Sequence, residues 1–166
     1  MRLKRTVRAG MKDQRGDTMI EIAISAVVVL TLLFGVMEFG RAMYIYHFVS
    51  YAAQAGTRYA LVRGNSWKTT CASSTTGMDC QAATTDIQAY VQSIAPPGVS
   101  TSNPPLTITP SWPGTSPNAT ITCTAGTPAP GCVVQVIVTY QFSFIAPFMP
   151  GSPLTLKATS QQIIQK

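Results

Sequence analysis

The amino-acid sequence predicts an α+β fold in which a long N-terminal helix, membrane-spanning in its first half, packs on a small antiparallel β-sheet with disulfide-closed loops. Three observations support this prediction: an apolar stretch near the N-terminus, an alternation of apolar and polar residues near the C-terminus, and four cysteines between them. The predicted organisation has three parts, a basic leader at 1–16, a long helix at 17–64 and a Ser/Thr/Pro-rich β domain at 65–166.

The apolar stretch at 22–37, IAISAVVVLTLLFGVM, contains no charged residue. Extended to about 19–40 it would form a helix about 33 Å long, which crosses the roughly 30 Å hydrocarbon core of a bilayer. Glu21 and Glu38 then lie near its two edges, and Arg41 follows Glu38 at a spacing that lets the two side chains pair. A cleavable secretory signal is less consistent with the sequence, because EFGR occupies the place of the expected small-residue cleavage site.

The basic residues are concentrated in the leader. Six of the twelve lie in residues 1–16, against the single acid Asp13. A positive segment ahead of an apolar one is typical of a chain whose N-terminus stays in the cytoplasm and whose C-terminal part lies outside. Because a nucleic-acid interface needs a basic patch on a folded surface, this distribution argues against nucleic-acid binding.

An amphipathic helical pattern continues beyond the apolar stretch to a predicted stop at Gly64 and Asn65. Its apolar stripe consists of Ile45, Phe48, Ala52, Ala55, Tyr59 and Val62. The small residues of this part, Ala53 and Gly56 among them, would allow a sheet or another helix to approach closely. We expect the stripe to pack on the chain's own C-terminal domain.

The four cysteines form two pairs of identical spacing, with eight residues inside each pair. Zinc sites usually use shorter ligand spacings, and a segment outside the cytoplasm meets oxidising conditions, so disulfides are favoured. Four cysteines allow three connectivities. We predict the local one, Cys71 with Cys80 and Cys123 with Cys132, since each bridge then closes a short polar loop. In the loop-entropy model each bridge would stabilise the fold by about 2.5 to 3 kcal/mol.

The C-terminal third is predicted to form a β-sheet. VVQVIVTYQFSF at 133–144 alternates apolar and polar residues, and a second strand starts at Leu154 after a connection rich in proline and glycine. Weaker strand candidates lie at 106–109 and 119–123, and a short helix is predicted at about 84–94. Three or four antiparallel strands packed on the outer half of the long helix follow from these elements.

Residues that could carry catalysis are scarce. The only histidine, His47, lies on the predicted helix close to the membrane, where it is better interpreted as an interfacial or packing residue than as a ligand or base. Outside the membrane the acidic side chains are Asp79 and Asp86, too few to predict a paired acid and base. With no metal-ligand cluster and no phosphate-binding motif, we expect a protein that is not an enzyme and has no cofactor or metal.

The segment before the apolar helix has a second possible meaning. Thr18-Met19-Ile20-Glu21 fits a capping box that would start the helix. However, the order of basic leader, Gly16 and then DTMIE before an apolar helix also resembles the type IV prepilin processing site. There a membrane aspartyl peptidase cuts after the glycine, and the glutamate becomes the fifth residue of the mature chain.

Two further segments narrow the resemblance. EFGR at 38–41 and AAQAGTRYA at 52–60 are similar to the TadE-like family, the minor pilins or pseudopilins of the tight-adherence (Flp, type IVb) pilus machinery. The resemblance is concentrated in residues 15–64, and VVQVIVTYQFSF with LTLKATSQQ is similar to the family's closing strand pair. It implies a pilin-like helix with interface residues at Glu38, Arg41, Gly56 and Arg58.

The resemblance also implies a mechanism. Prepilin peptidase would cut after Gly16, and Glu21 of one subunit would pair with the new α-amino group on Asp17 of a neighbour, a group that is mostly charged at pH 7. Position 22 is Ile, whereas the major Flp pilin typically has tyrosine there, which indicates a minor subunit. The implied partners are other pilin and pseudopilin subunits, the peptidase, the pilus assembly platform and the bacterial inner membrane. The implied topology is single-pass, with a cytoplasmic N-terminus and a periplasmic C-terminal domain, and incorporation into the pilus stays open.

Two other functions remain compatible with the sequence. One is an uncleaved bitopic pilus-assembly factor, in which Glu21 only caps the helix. The other is a membrane-tethered surface binding module, or adhesin, whose disulfide-closed loops recognise a carbohydrate or a host surface.

Overall fold

The computed structural model describes residues 14–73, 79–99, 102, 106–145 and 153–165. The elements in chain order are α1 (Gln14–Leu61), a single 3-10 turn (Cys71–Ser73), α2 (Thr84–Ser93), β1 (Thr107–Ser111), β2 (Val133–Phe142) and β3 (Leu154–Ile163). The chain divides into two units, Met1–Phe39 and Gly40–Lys166. The first thirteen residues of the predicted leader, and most of the predicted turn between β2 and β3, lie outside the described residues.

The described part of the first unit is helix with its apolar side chains exposed. Between Met19 and Phe39 the large apolar residues, such as Ile22, Leu33 and Val36, have 43% to 73% of their surface accessible. Gly16–Leu61 contains a stretch that is long and apolar enough to cross a membrane, and none of that stretch is buried within the chain. Exposure of this much apolar surface is unfavourable in water and favourable in lipid.

Helix α1 begins earlier than the capping box predicts. Its first residue is Gln14, so Thr18 and Glu21 lie inside the helix and Thr18 is not its N-cap. The capping-box prediction is therefore wrong. Once a helix extends back over the preceding turn, the N–H groups of residues 18 to 21 face carbonyls of that turn and do not need side-chain acceptors.

The second unit is built on a three-stranded antiparallel meander in the order β1-β2-β3. Along β2 the buried residues alternate with half-buried or exposed ones, and the buried set is Val134, Val136, Val138, Tyr140 and Phe142. The predicted alternation is confirmed, although the strand ends at Phe142 and not at Phe144. Pro110 lies in the edge strand β1, where its missing N–H is tolerated.

The outer half of α1 supplies one side of the core, which it shares with α2 and the buried face of the sheet. The predicted stripe is partly correct: Ile45, Phe48, Ala52 and Ala55 are buried, but Tyr59 is half-buried and Val62 is 45% exposed. The buried face turns instead through Val49, Ala53, Gly56, Thr57 and Ala60. The smallest residues face the sheet because they allow the closest approach.

Helix α1 ends at Leu61, before the predicted stop at Gly64. The backbone carbonyls at and just after Leu61 accept hydrogen bonds from other parts of the chain. Gln165 N–H donates to the Leu61 carbonyl at 2.8 Å, Ala82 N–H to the Arg63 carbonyl at 3.0 Å, and the Trp67 indole to the Val62 carbonyl at 3.0 Å. Tertiary partners thus satisfy the C-terminal carbonyls that a further helical turn would otherwise leave open.

The two disulfides join Cys71 to Cys80 and Cys123 to Cys132, the local pairing that the spacing predicts. Helix α2 starts where expected, and the Asp86 carboxylate accepts the Ala83 N–H at 2.9 Å ahead of its first turn.

The weak strand prediction at 119–123 is wrong. The Asn118 side-chain oxygen accepts bonds from both the N–H and the hydroxyl of Thr120, which holds this segment in a turn.

Candidate processing and assembly site

The predicted cleavage point lies in the first turn of α1, which begins at Gln14. Gly16 and Asp17 are exposed, and a Cβ added at Gly16 would meet nothing within 4 Å. The first N–H groups of a helix have no intrahelical acceptor, and glycine costs about 1 kcal/mol relative to alanine inside a helix. This turn is therefore easy to unwind, which a protease requires of its substrate.

Glu21 lies one turn further along the same helix and is exposed, among the exposed apolar residues Ile20, Ile22 and Ile24. Within the described residues its carboxylate has no hydrogen bond or ion pair. A charged carboxylate at the edge of a membrane is costly without a partner.

Arg41 connects α1 to the far end of β2. Its guanidinium lies 4.6 Å from the ring centroid of Phe142 and donates to the Ser143 carbonyl at 3.2 Å. This arrangement combines a cation–π contact with a hydrogen bond. Glu38 is only 6% exposed. The predicted ion pair of Glu38 with Arg41 stays a prediction.

Gly56 packs closely against α2 and β2. A Cβ at this position would lie 3.1 Å from Val91 Cγ2 and 3.2 Å from Val136 Cγ1, closer than ordinary van der Waals contact. Next to it, the buried Thr57 hydroxyl donates to the Gln54 carbonyl at 2.9 Å and lies 3.0 Å from the Ser160 hydroxyl on β3. The small residues therefore serve packing within the chain, as we expected.

A groove that the sequence does not predict runs between α1 and α2. It has a volume of about 370 Å³ and is lined mainly by Tyr51, Gln54, Arg58, Tyr59, Arg63 and Tyr90, and we call it the tyrosine groove. The rings of Tyr59 and Tyr90 stack at 4.6 Å, and the Arg63 guanidinium lies 4.0 Å above the Tyr59 ring.

Arg58 is exposed in this groove and makes no hydrogen bond or ion pair with any residue that the structure describes. The sequence places Tyr51, Arg58 and Tyr59 at helical spacings, but Tyr90 comes from another helix. Because this contact joins residues far apart in the chain, the sequence pattern does not predict the groove.

A second cavity of about 350 Å³ adjoins the tyrosine groove through Tyr51, and it is lined by Tyr44, His47, Phe48, Ile94 and Pro96 as well. His47 is exposed there, and its ring lies 6.4 Å from that of Tyr46. Over the described ranges, no group of three or more His, Cys, Asp or Glu side chains is arranged to hold a metal ion. The two acidic side chains of the outer part, Asp79 and Asp86, lie outside the linings of these two cavities.

Residues 16–58 match the family model described as TadE-like protein. The matched segment lies within α1 and contains the residues singled out above, Gly16, Asp17, Glu21, Glu38, Arg41, Gly56 and Arg58. The match is consistent with a TadE-like protein and suggests a protein associated with the Tad pilus. No curated protein and no solved structure matches the chain.

Proposed function

We propose that this protein is a minor pilin or pseudopilin that takes part in assembling a Tad/Flp type IVb pilus, without catalytic activity of its own. The observation that carries the proposal is the match of residues 16–58 to the TadE-like model, because it covers both the exposed apolar helix and Gly16 and Asp17 of the predicted processing site. In this role the first unit would lie in the inner membrane and the second unit in the periplasm.

Maturation would proceed by cleavage after Gly16. The exposed first turn of α1, weakened by glycine, would unwind and enter the active site of prepilin peptidase. Cleavage would remove the leader and leave a charged α-amino group on Asp17. The carboxylate of Asp17 lies in the same residue as this α-amino group. It would therefore compete with an external carboxylate for the positive charge.

Assembly would then use Glu21. Its exposed carboxylate, with no partner among the described residues, would pair with the α-amino group of a neighbouring subunit inside the membrane. Pairing removes the cost of an uncompensated charge in lipid, and it would also align the two helices along their axes. The implied partners are other pilin and pseudopilin subunits and the assembly platform.

The decisive experiment is the N-terminal sequence and intact mass of the protein recovered from its native membrane. A chain that begins at Asp17 would support peptidase processing. The matched variant is Gly16→Leu, compared with Gly35→Leu in the same helix, where an added Cβ also meets nothing within 4 Å. Only the Gly16 variant should retain the leader and lose pilus assembly.

An uncleaved membrane-anchored assembly factor is the second candidate, because α1 runs without interruption from Gln14 through the cleavage point. A mature protein that still begins at or near Met1, together with normal pili in the Gly16→Leu strain, would favour this candidate and overturn processing.

A further inference from the structure

We propose that the tyrosine groove binds a short acidic peptide segment of a partner subunit, with a carboxylate on Arg58 and an apolar or aromatic side chain against the stacked tyrosines. The inference rests on the proposed function, since it takes the ligand to be another component of the pilus machinery. It assigns the contact to residues of the second unit, whereas Glu21 belongs to the first.

The groove provides three different kinds of contact within one small space. The stacked rings of Tyr59 and Tyr90 form an aromatic wall, and the Arg63 guanidinium on Tyr59 also donates to the Tyr59 carbonyl at 3.4 Å, which holds the wall in place. The exposed Gln54 amide can donate to and accept from a peptide backbone. Tyrosine and arginine, like tryptophan, are enriched at protein-binding hot spots.

The charge of the groove selects an acidic ligand. Two arginines and no carboxylate line it, and Arg58 is exposed without an ion pair inside the described part of the chain. A second copy of this protein is a poor source of the missing carboxylate. Of the two acids in the described part of the second unit, Asp86 is engaged with the Ala83 N–H, which leaves Asp79, exposed in a disulfide-closed loop, as the one carboxylate that this part of a second copy could offer. A different subunit is therefore the better partner.

The position of the groove argues against a lipid headgroup. If the membrane span ends near Gly40, Tyr51 lies about 16 Å and Arg58 about 27 Å further along the helix, whereas the headgroup layer is only about 5 to 8 Å thick. The volume of about 370 Å³ matches a few amino-acid residues. An acidic peptide therefore satisfies both the chemistry and the location.

The test is photo-crosslinking of the full-length protein in its native membranes. Gln54 is replaced by p-benzoylphenylalanine, and the crosslinked peptide is sequenced by mass spectrometry. The matched control carries the same probe at Gln161, an exposed position on β3 outside the groove. We expect an adduct from position 54 on a peptide of another subunit that has Asp or Glu within about one helical turn, and no such adduct from position 161.

Two variants test the role of Arg58. Arg58→Glu should lower the yield of the adduct at least tenfold, because it replaces an attraction with a repulsion, and Arg58→Lys should keep it within about threefold because the charge remains. Intact disulfides on a non-reducing gel verify that each variant is folded.

An adduct on lipid or on a glycan, an adduct on a peptide without a nearby acid, no adduct at all, or an equal yield with Arg58→Glu would each overturn the inference. The proposed function fails separately. A chain that starts at Met1 but gives an Arg58-dependent adduct refutes processing alone, whereas a chain that starts at Asp17 without the adduct refutes only the groove.

Discussion

Two stretches of α1, one before and one after the Phe39–Gly40 boundary, differ in the exposure of their apolar side chains. In the first, large residues such as Leu32 and Val36 are 64% and 73% exposed. In the second, Ile45 and Val49 are 2% and 0% exposed within a core that includes the sheet. The second stretch is stabilised by its own chain, whereas the first needs lipid or other subunits to cover it. Mutations in the two regions should therefore affect different properties.

The largest contrast is expected for one substitution made in both regions. Phe142 is fully buried, packs edge-on against Phe144 and lies under the Arg41 guanidinium, so Phe142→Ala should lower the free energy of unfolding by about 3 to 5 kcal/mol. Phe39→Ala, at a residue 68% exposed, should change it by less than about 0.5 kcal/mol. Urea unfolding of the detergent-solubilised protein, followed by tryptophan fluorescence, measures both. Equal losses of unfolding free energy in the two variants would mean that the two stretches of α1 do not differ in their contribution to stability.

The disulfides give the next largest effect, confined to the second unit. The Cys71→Ser/Cys80→Ser pair of substitutions should cost about 2.5 to 3 kcal/mol, and the Cys123→Ser/Cys132→Ser pair should cost a similar amount, because both loops have a sequence separation of nine. Urea midpoints with and without reductant check this. A wild-type midpoint that does not move on reduction, with all four thiols shown to be free by alkylation, would contradict it.

Two glycines of α1 distinguish packing from helix propensity. Gly56→Ala introduces a Cβ 3.1 Å from Val91 Cγ2, and this overpacking should cost about 1 to 3 kcal/mol against a propensity gain of about 1 kcal/mol. Gly40→Ala meets nothing within 4 Å and should keep the gain. We therefore expect Gly40→Ala to be the more stable variant by about 1 to 3 kcal/mol in urea unfolding. Equal stabilities would show that the core yields around Gly56 without cost.

The features that the sequence predicts well depend on local patterns. The period-two alternation in β2 identifies its buried residues, and the equal spacing of the cysteines indicates the two short loops that the disulfides close. Apolar composition alone marks the membrane-spanning candidate in α1. Each of these signals needs only neighbouring residues in the chain.

The features that the sequence does not predict depend on distant partners or on one side chain. Helix α1 ends at Leu61 because Ala82 and Gln165 supply donors to the carbonyls there, and 119–123 turns because Asn118 caps its own loop. The buried face of α1 is offset by about one residue from the predicted stripe, so that Gly56 and Thr57 contact α2 and the sheet. The tyrosine groove needs Tyr90 from α2, which no helical spacing in α1 reveals.

The smallest effect on stability should accompany a large effect on assembly. Glu21 is exposed, lies in the first unit and has no partner among the described residues, so Glu21→Gln should leave the free energy of unfolding of the second unit unchanged within about 0.5 kcal/mol. It should also leave membrane insertion intact, since a neutral amide is easier to place near lipid than a carboxylate. If the carboxylate pairs with the α-amino group of a neighbour, pili should nevertheless be lost, and Glu21→Asp should retain part of them. Membrane fractionation, urea unfolding and pilus counts by electron microscopy separate these effects. Normal pili with Glu21→Gln would restrict the first unit to anchoring and leave assembly to contacts made by the second.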